Sequence, residues 1–356
     1  MIMQVQKDSQ IVNVSIILVS YNSFNDLAEC IPSILRQTYR DFEIIIVDNS
    51  TNDESTEYFK NEFLGVRYIK SASNGGYSEG NNIGMQYAKG KYIVIVNPDT
   101  VVDDNWLVQL IKPLEDHEEI AITTSKILLY DNPNKINTFS NCSHFTGLDF
   151  CKGLWEPADR YSKSEETSVI SGCSFAIRRL IFEELGGFDT DFFLYLEDID
   201  LSWRARLAGY RIIAIPESIV FHKFNLFITP RKEFYLERNR YQMLLKDYSL
   251  KTLILLLPAL MVTEGMTWGH AIIQGLPYVW NKLRSYGWVI ANINIIMRKR
   301  YRVQKSRKIS DRELIKFLEW RIPFEQVIKN KFAGHIISTI FNSFYLVYYK
   351  IITALL

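Results

Sequence analysis

Three short runs of aliphatic and β-branched residues constrain the fold of this chain most: Val14-Ser-Ile-Ile-Leu-Val19, Phe42-Glu-Ile-Ile-Ile-Val47 and Tyr92-Ile-Val-Ile-Val96. Each is strand-sized and lacks the alternation of a half-exposed strand, so each reads as a strand buried on both faces. Leu27 to Leu35 shows apolar spacing near 3.6 and follows Asn25-Asp26, a helix start. A second helix is expected up to about Phe63, a strand at Val66 to Ile69, and a third helix at about Tyr77 to Ala88. Strands alternating with helices predict an α/β fold with a mostly parallel central sheet and right-handed crossovers. Ligands of such sheets sit at the carboxyl ends of the strands. Those ends carry Ser20-Tyr21-Asn22, Asp48 and Asn97-Pro-Asp99. Ser20-Tyr21-Asn22 stands where a dinucleotide fold would carry GxGxxG, which disfavours hydride transfer.

Charge narrows the partners. Lys and Arg number 41 against 40 Asp and Glu, a net +1, which argues against nucleic-acid binding through a basic face. Cys30, Cys142, Cys151 and Cys173 have no metal-type spacing and read as the reduced thiols of a cytosolic protein. The first ten residues lack the apolar core of a signal peptide, so the chain is expected to start in the cytoplasm. Beyond about Phe224 the composition changes from a soluble α/β pattern to long apolar runs. We therefore divide the chain into residues 1–245, the α/β domain, and 246–356, a helical membrane-associating region.

Phe193-Leu-Tyr-Leu-Glu-Asp-Ile-Asp200 places Glu197, Asp198 and Asp200 at the start of an expected helix, where the helix dipole favours ionised carboxylates. Taken singly, an Asp after a strand is most often a turn former, Asn-Pro-Asp a turn, and His222 a hydrogen-bonded residue. Their joint order changes that reading. The segments Val14 to Asn22, Asp48-Asn-Ser, Asn74-Gly-Gly-Tyr-Ser-Glu-Gly-Asn-Asn82, Asn97-Pro-Asp-Thr100, Gly186 to Asp200 and Val220-Phe-His222 resemble the family-2 glycosyltransferases with the GT-A fold. The resemblance covers roughly residues 13 to 245 and points to the rhamnosyltransferase-like branch.

What the resemblance implies is inverting transfer of a sugar from a nucleotide-diphosphate donor, assisted by Mn²⁺ or Mg²⁺. By that likeness Asp99 and His222 are metal ligands, with Asn97 in place of the first carboxylate of the family's Asp-x-Asp element. Asp198 matches the catalytic base, and Glu197 is the alternative base or an acceptor-orienting residue. The spacing of Asp200 and Arg204 predicts an ion pair on one helical face. Asp48 would accept a hydrogen bond from the nucleobase, with Ser20, Tyr21 and Asn22 beside it, which favours a uridine or thymidine nucleotide. Asn74, Gly75, Gly76 and Asn81 lie in a Gly-rich loop and helix start that would approach the diphosphate-sugar. Gly172 and Cys173 would border the acceptor, and Arg238 and Arg240, after Arg231, would close over the diphosphate. Glu237-Arg-Asn-Arg-Tyr241 has the spacing of the Gln-x-x-Arg-Trp signature of processive synthases, but without its Trp.

The last third suggests a membrane surface. Leu250 to Tyr278 is apolar yet holds Glu264, His270 and Gln274, which favours interfacial helices over a single span. Arg298 to Lys308 carries a run of basic residues suited to anionic lipid headgroups, and Trp268, Trp280 and Trp288 suit the headgroup zone. A soluble homo-oligomer burying the same faces is the plainer alternative. A membrane-bound position would suit a lipid-linked glycan acceptor on the cytoplasmic face. The competing functions are a polyprenyl-phosphate sugar synthase and a non-catalytic sugar-nucleotide-binding scaffold.

Overall fold

The first buried run folds as β1 (Val14–Ser20) and becomes the axis of the sheet. The computed structural model describes residues 12–50, 61–63, 65–225, 227–328 and 330–356. Helix α1 (Phe24–Leu35) buries Leu27, Cys30, Ile31 and Ile34, the stripe that its periodicity predicts. There follow β2 (Phe42–Asp48), β3 (Arg67–Lys70), α2 (Gly76–Tyr87), β4 (Tyr92–Val96), β5 (Thr100–Val102) and α3 (Trp106–Asp116). Next come β6 (Ile120–Leu129), β7 (Asn132–Phe139), and a small ribbon of β8 (Asn141–Ser143) and β9 (Asp149–Cys151). The domain continues with β10 (Glu165–Glu166), β11 (Ser174–Arg178), α4 (Arg179–Glu184), α5 (Glu197–Leu207), β12 (Arg211–His222) and α6 (Pro230–Asp247). The helix expected before Phe63 lies mostly outside the described residues.

Strand order is β10-β12-β6-β11-β4-β1-β2-β3, with β5 added beside β12 and β7 beside β6. β3, β2, β1 and β4 run parallel, as the three buried runs predict. Beyond β4 the sheet is mixed: β11 is antiparallel to both β4 and β6, while β12 returns parallel to β6. The order reverses at β1, so the carboxyl ends of β1, β2 and β4 open onto a switch-point crevice.

The C-terminal third is helical: α7 (Leu250–Gln274), α8 (Leu276–Ala291), α9 (Ile293–Ser306), α10 (Asp311–Ile315) and α11 (Lys331–Leu355). One apolar core joins Phe145, Ile199 and Trp203 of the α/β part to Leu256, Leu314 and Tyr345 of these helices. The expected division at residue 245 falls in the last turn of α6. Helices α7 and α11 are long and apolar enough to cross a membrane, with only 22% and 17% of their most apolar windows buried. Ile273, Leu276, Ile290 and Phe332 are exposed.

The charged residues of this region turn inward. Glu264 accepts from Arg240 of α6 at 3.1 Å and pairs with Lys282 of α8 at 2.9 Å. The basic run is also partly consumed within the fold. Lys299 pairs with Asp189 and Asp191, Arg300 donates to the Leu245 and Tyr248 carbonyls, and Arg307 pairs with Asp311. The expectation that the whole run is available to lipid headgroups is corrected: of its basic residues only Arg298, Arg302, Lys305 and Lys308 are exposed, because the other three neutralise or cap groups of the α/β part and its neighbours.

Candidate active site

Antiparallel register sets His222 of β12 opposite Thr100 of β5, and the Lys223 amide donates to the Asp99 carbonyl at 3.0 Å. The two side chains meet as a result: His222 Nε2 lies 3.4 Å from Asp99 Oδ2. Nδ1 is 2.8 Å from Asn137 Oδ1, a contact that orients the ring so that Nε2 faces the carboxylate. Asp99 Oδ1 is buried without a hydrogen-bond partner. Burial pushes the His222 ring toward neutrality, but Cys173 and Asp99 outweigh it and raise its pKa to about 10. The pocket thus favours positive charge. Among the described residues no three His, Cys, Asp or Glu side chains form a complete metal cage. An orphaned carboxylate oxygen beside an oriented imidazole fits a divalent cation whose other positions are filled by phosphate oxygens and water.

The Asn97-Pro-Asp99 turn is held from behind. Thr100 Oγ1 donates to the Asn97 carbonyl at 2.7 Å, and the Asn97 amide donates to the Cys173 carbonyl at 2.9 Å. That second bond makes Cys173, expected on the acceptor side, a neighbour of the metal motif. At the other rim, register pairs Ser20 with Asp48. Asp48 is buried, accepts from the Ser50 amide at 2.8 Å and pairs with Lys70 at 3.0 Å. Tyr21 is 53% exposed, leaving its ring face free, and Asn22 adopts a left-handed φ of 55°.

Asp198, in the first turn of α5, packs against the peptide that leads into β11. Its Oδ2 accepts from the Gly172 amide at 2.7 Å and its Oδ1 from the Ile199 amide at 2.9 Å. Gly172 lets the carboxylate come close: a Cβ at that position would stand 3.0 Å from Asp198 Oδ2, and the carboxylate would have to give by a few tenths of an ångström. Tyr77 donates to the Gly172 carbonyl at 2.6 Å, steadying the same peptide. Burial raises the Asp198 carboxyl to about 6, against the opposing pull of the two amides. Glu197 is pushed well above the usual carboxylate range by burial and then by Asp198, and its Oε2 has no partner. Asp200 pairs with Arg204 at 2.7 Å, as its spacing predicts, and is a structural residue.

The loop entering α5 is strained. Phe193, Tyr195 and Leu196 have φ of 59°, 71° and 64°. Such backbone costs about 1–3 kcal/mol per residue and persists only where its surroundings enforce it. Part of that enforcement comes from the Gly-rich segment: a Cβ on Gly76 would lie 2.1 Å from the Phe193 carbonyl oxygen, which accepts from the Tyr77 amide at 2.8 Å. Gly76 is thus explained by its approach to Phe193, Gly75 by the room Glu79 needs, and Asn74 by its bond to the Gly76 amide. Asn81 donates to the Tyr77 carbonyl within α2.

Two expected donor contacts are corrected. Arg238 donates to the Asp191 and Phe192 carbonyls, the latter at 2.7 Å, and packs on the Trp288 ring. Arg240 is buried between Glu237 and Glu264, each at 3.1 Å. Both guanidiniums are spent on the protein itself. Arg231, on the exposed first turn of α6, keeps its charge at the surface. Sequence reasoning missed Lys70, Tyr77, Asn137 and Asn239, whose partners lie 22, 95, 85 and 44–47 residues away in the chain.

Residues 15–186 match the family model described as Glycosyl transferase family 2. The glycosyltransferase GlyG of Streptococcus pneumoniae is 32% identical over 141 residues, 39% of this chain and 45% of that protein. A poly-beta-1,6-N-acetyl-D-glucosamine synthase of Staphylococcus epidermidis is 23% identical over 283 residues, 76% of this chain and 66% of that protein. The chain thus spans between 45% and 66% of the length of these two relatives. The solved structure of the mannosyltransferase PcManGT from Pyrobaculum calidifontis, in complex with GDP-Man and Mn²⁺, superposes with a TM-score of 0.51 at 16% identity. It covers 83% of this chain and 85% of that one, and shows a common fold.

Proposed function

Because residues 15–186 form a glycosyltransferase family 2 domain on a GT-A fold, we propose that the chain transfers a sugar, with inversion, from a UDP- or dTDP-sugar to a hydroxyl of a lipid-linked glycan during cell-surface polysaccharide synthesis. The observation that carries this reading is the continuous run of contacts from Asp198 through Gly172 and Cys173 to Asn97, His222 and Asp99. A proton acceptor and a cation-favouring pair are thereby linked through one short stretch, Gly172-Cys173, at the carboxyl end of β4. Asp99 and His222 would hold the metal, and a divalent cation bound there would stabilise the negative charge that grows on the departing diphosphate. Asp48, Ser20, Tyr21 and Asn22 bind the nucleoside, and Asn97 lies beside the ribose and phosphates. Arg231 takes the cationic role that the buried Arg238 and Arg240 cannot fill. Asp198 accepts the proton of the acceptor hydroxyl as that oxygen bonds to the anomeric carbon and the nucleoside diphosphate leaves. Glu197, whose carboxyl burial and Asp198 push up, orients the acceptor beside Asp198.

The exposed apolar faces of α7, α8 and α11, with Arg298, Arg302, Lys305 and Lys308, seat the chain on the cytoplasmic face of a membrane. One experiment tests both parts. Membranes carrying the chain are washed with high salt and then carbonate, while transfer from UDP-, dTDP- and GDP-sugars to a polyprenyl-diphosphate-linked acceptor is followed with and without Mn²⁺. We expect release before or at the carbonate step and Mn²⁺-dependent transfer from a pyrimidine donor. Retention through carbonate would establish a spanning helix instead, and equal activity on a short water-soluble acceptor without lipid would remove the lipid-linked acceptor.

A further inference from the structure

Asn239 sits in the middle of α6, fully buried, and its amide nitrogen, with two hydrogens and one of them shared, reaches three carbonyls of the strained loop. Its Nδ2 donates to the carbonyls of Phe192 at 3.0 Å, Leu194 at 3.0 Å and Tyr195 at 2.7 Å. Its Oδ1 accepts from Arg238 Nε at 2.8 Å, which fixes which way the amide points. Arg238 in turn donates to the Phe192 carbonyl at 2.7 Å and lies 4.6 Å from the Trp288 ring centroid. The clamped carbonyls belong to the segment in which Phe193, Tyr195 and Leu196 have positive φ, and that segment ends at Glu197 and Asp198. None of these three residues is a glycine, so the conformation is not one the loop would choose alone.

We propose that Asn239 is a positioning residue: it locks the 192–196 loop in its strained form and so holds the Asp198 carboxylate against the Gly172 amide, facing the acceptor. The inference rests on the reading of Asp198 as the base. A side chain that only stabilised the fold would satisfy one or two carbonyls of regular structure. Asn239 instead meets three carbonyls of the irregular segment that leads directly into Glu197 and Asp198. Helix α6 thereby ties the loop before the base to α8 through Arg238 and Trp288.

The test compares Asn239→Asp, which keeps the shape but loses the donor, and Asn239→Ser, which keeps one donor in a smaller volume, with the parent and with Asp198→Asn. Per folded molecule, kcat of Asn239→Asp should fall by about 10²-fold, the scale of a displacement near 1 Å in the reacting geometry. Asn239→Ser should fall between the two. Affinity for the Mn²⁺-nucleotide should be unchanged in both, and the acidic limb of the pH–rate profile should move. The titratable groups that interact with Asp198 from the elements packed around it are Glu197, Tyr77, Asp149 and Cys151. If Asn239→Ser, or a folded Asn239→Asp, keeps kcat within about twofold with an unmoved limb, Asn239 is only a structural residue and the proposal is wrong. If instead Asp198→Asn retains a tenth of the parent rate, the base assignment fails, whatever the Asn239 variants do.

Discussion

Asp198→Asn should lower kcat by about 10²–10⁴-fold, the range a positioned general base supplies, with nucleotide affinity near that of the parent. Asparagine keeps the size of the side chain, and its oxygen can still accept from the Gly172 amide, which holds Asp198 at 2.7 Å. It cannot take a proton. The parent carboxyl, raised to about 6 by burial, must be ionised to act. Activity should therefore be constant above pH about 6 and fall roughly tenfold per unit as pH drops below it. The sign follows from the shift: a raised pKa keeps the inactive acid form populated to higher pH. In Asp198→Asn the residual rate should lack this limb. Turnover at a tenth of the parent rate with the limb intact would assign the base elsewhere, and Glu197, the next carboxyl inward, would then be tested in the same way.

The second large effect concerns stability. Lys282 of α8 is fully buried and pairs with Glu237 of α6 and with Glu264 of α7, the latter at 2.9 Å, while Thr267 accepts from it at 2.7 Å. Arg240 closes the set at 3.1 Å from each carboxylate. Lys282→Met leaves the buried Glu237 and the partly exposed Glu264 with one cation, Arg240, and should cost about 3–5 kcal/mol, the usual penalty for breaking a buried ion pair from one side, most of it at Glu237. Equilibrium urea unfolding in detergent measures it. Replacing Glu237, Arg240, Glu264 and Lys282 together by apolar residues of similar size should restore much of that loss, because no charge is then left without a partner. A Lys282→Met variant within about 1 kcal/mol of the parent would show that these charges remain hydrated, a result at odds with their burial.

The strands around the crevice were legible because β1, β2 and β4 are buried on both faces and so read as continuous apolar runs. The placement of Ser20, Asp48 and Asp99 at their ends follows from that alone, through the strand-end rule of α/β sheets. The antiparallel half was less legible. β11 is flanked by β4 and β6 running the other way, and no local pattern announces the direction of a buried strand. Asp200 and Arg204 were readable as a pair because four residues on a helix bring side chains together. The roles of Arg238 and Arg240 were not, because their partners are backbone carbonyls of a distant loop and carboxylates on other helices. A cation in a sequence announces its charge but not its counterion. For the same reason the basic run of α9 looked like a lipid-binding strip, although Lys299 neutralises Asp189 and Asp191 inside the fold. Asn239 left no signal of its own, since a buried asparagine within a helix has the same spacing as any polar residue on a solvated face.

Locating a bound cation relative to the base tests the account at its root. Crystals grown with Mn²⁺ and a hydrolysis-resistant UDP-sugar, measured at the manganese edge, should give one anomalous peak between the Asp99 carboxylate and His222 Nε2. The anomeric carbon should lie between that ion and the Asp198 carboxylate. A peak held by other side chains, or a sugar whose anomeric carbon faces away from Asp198, would contradict it.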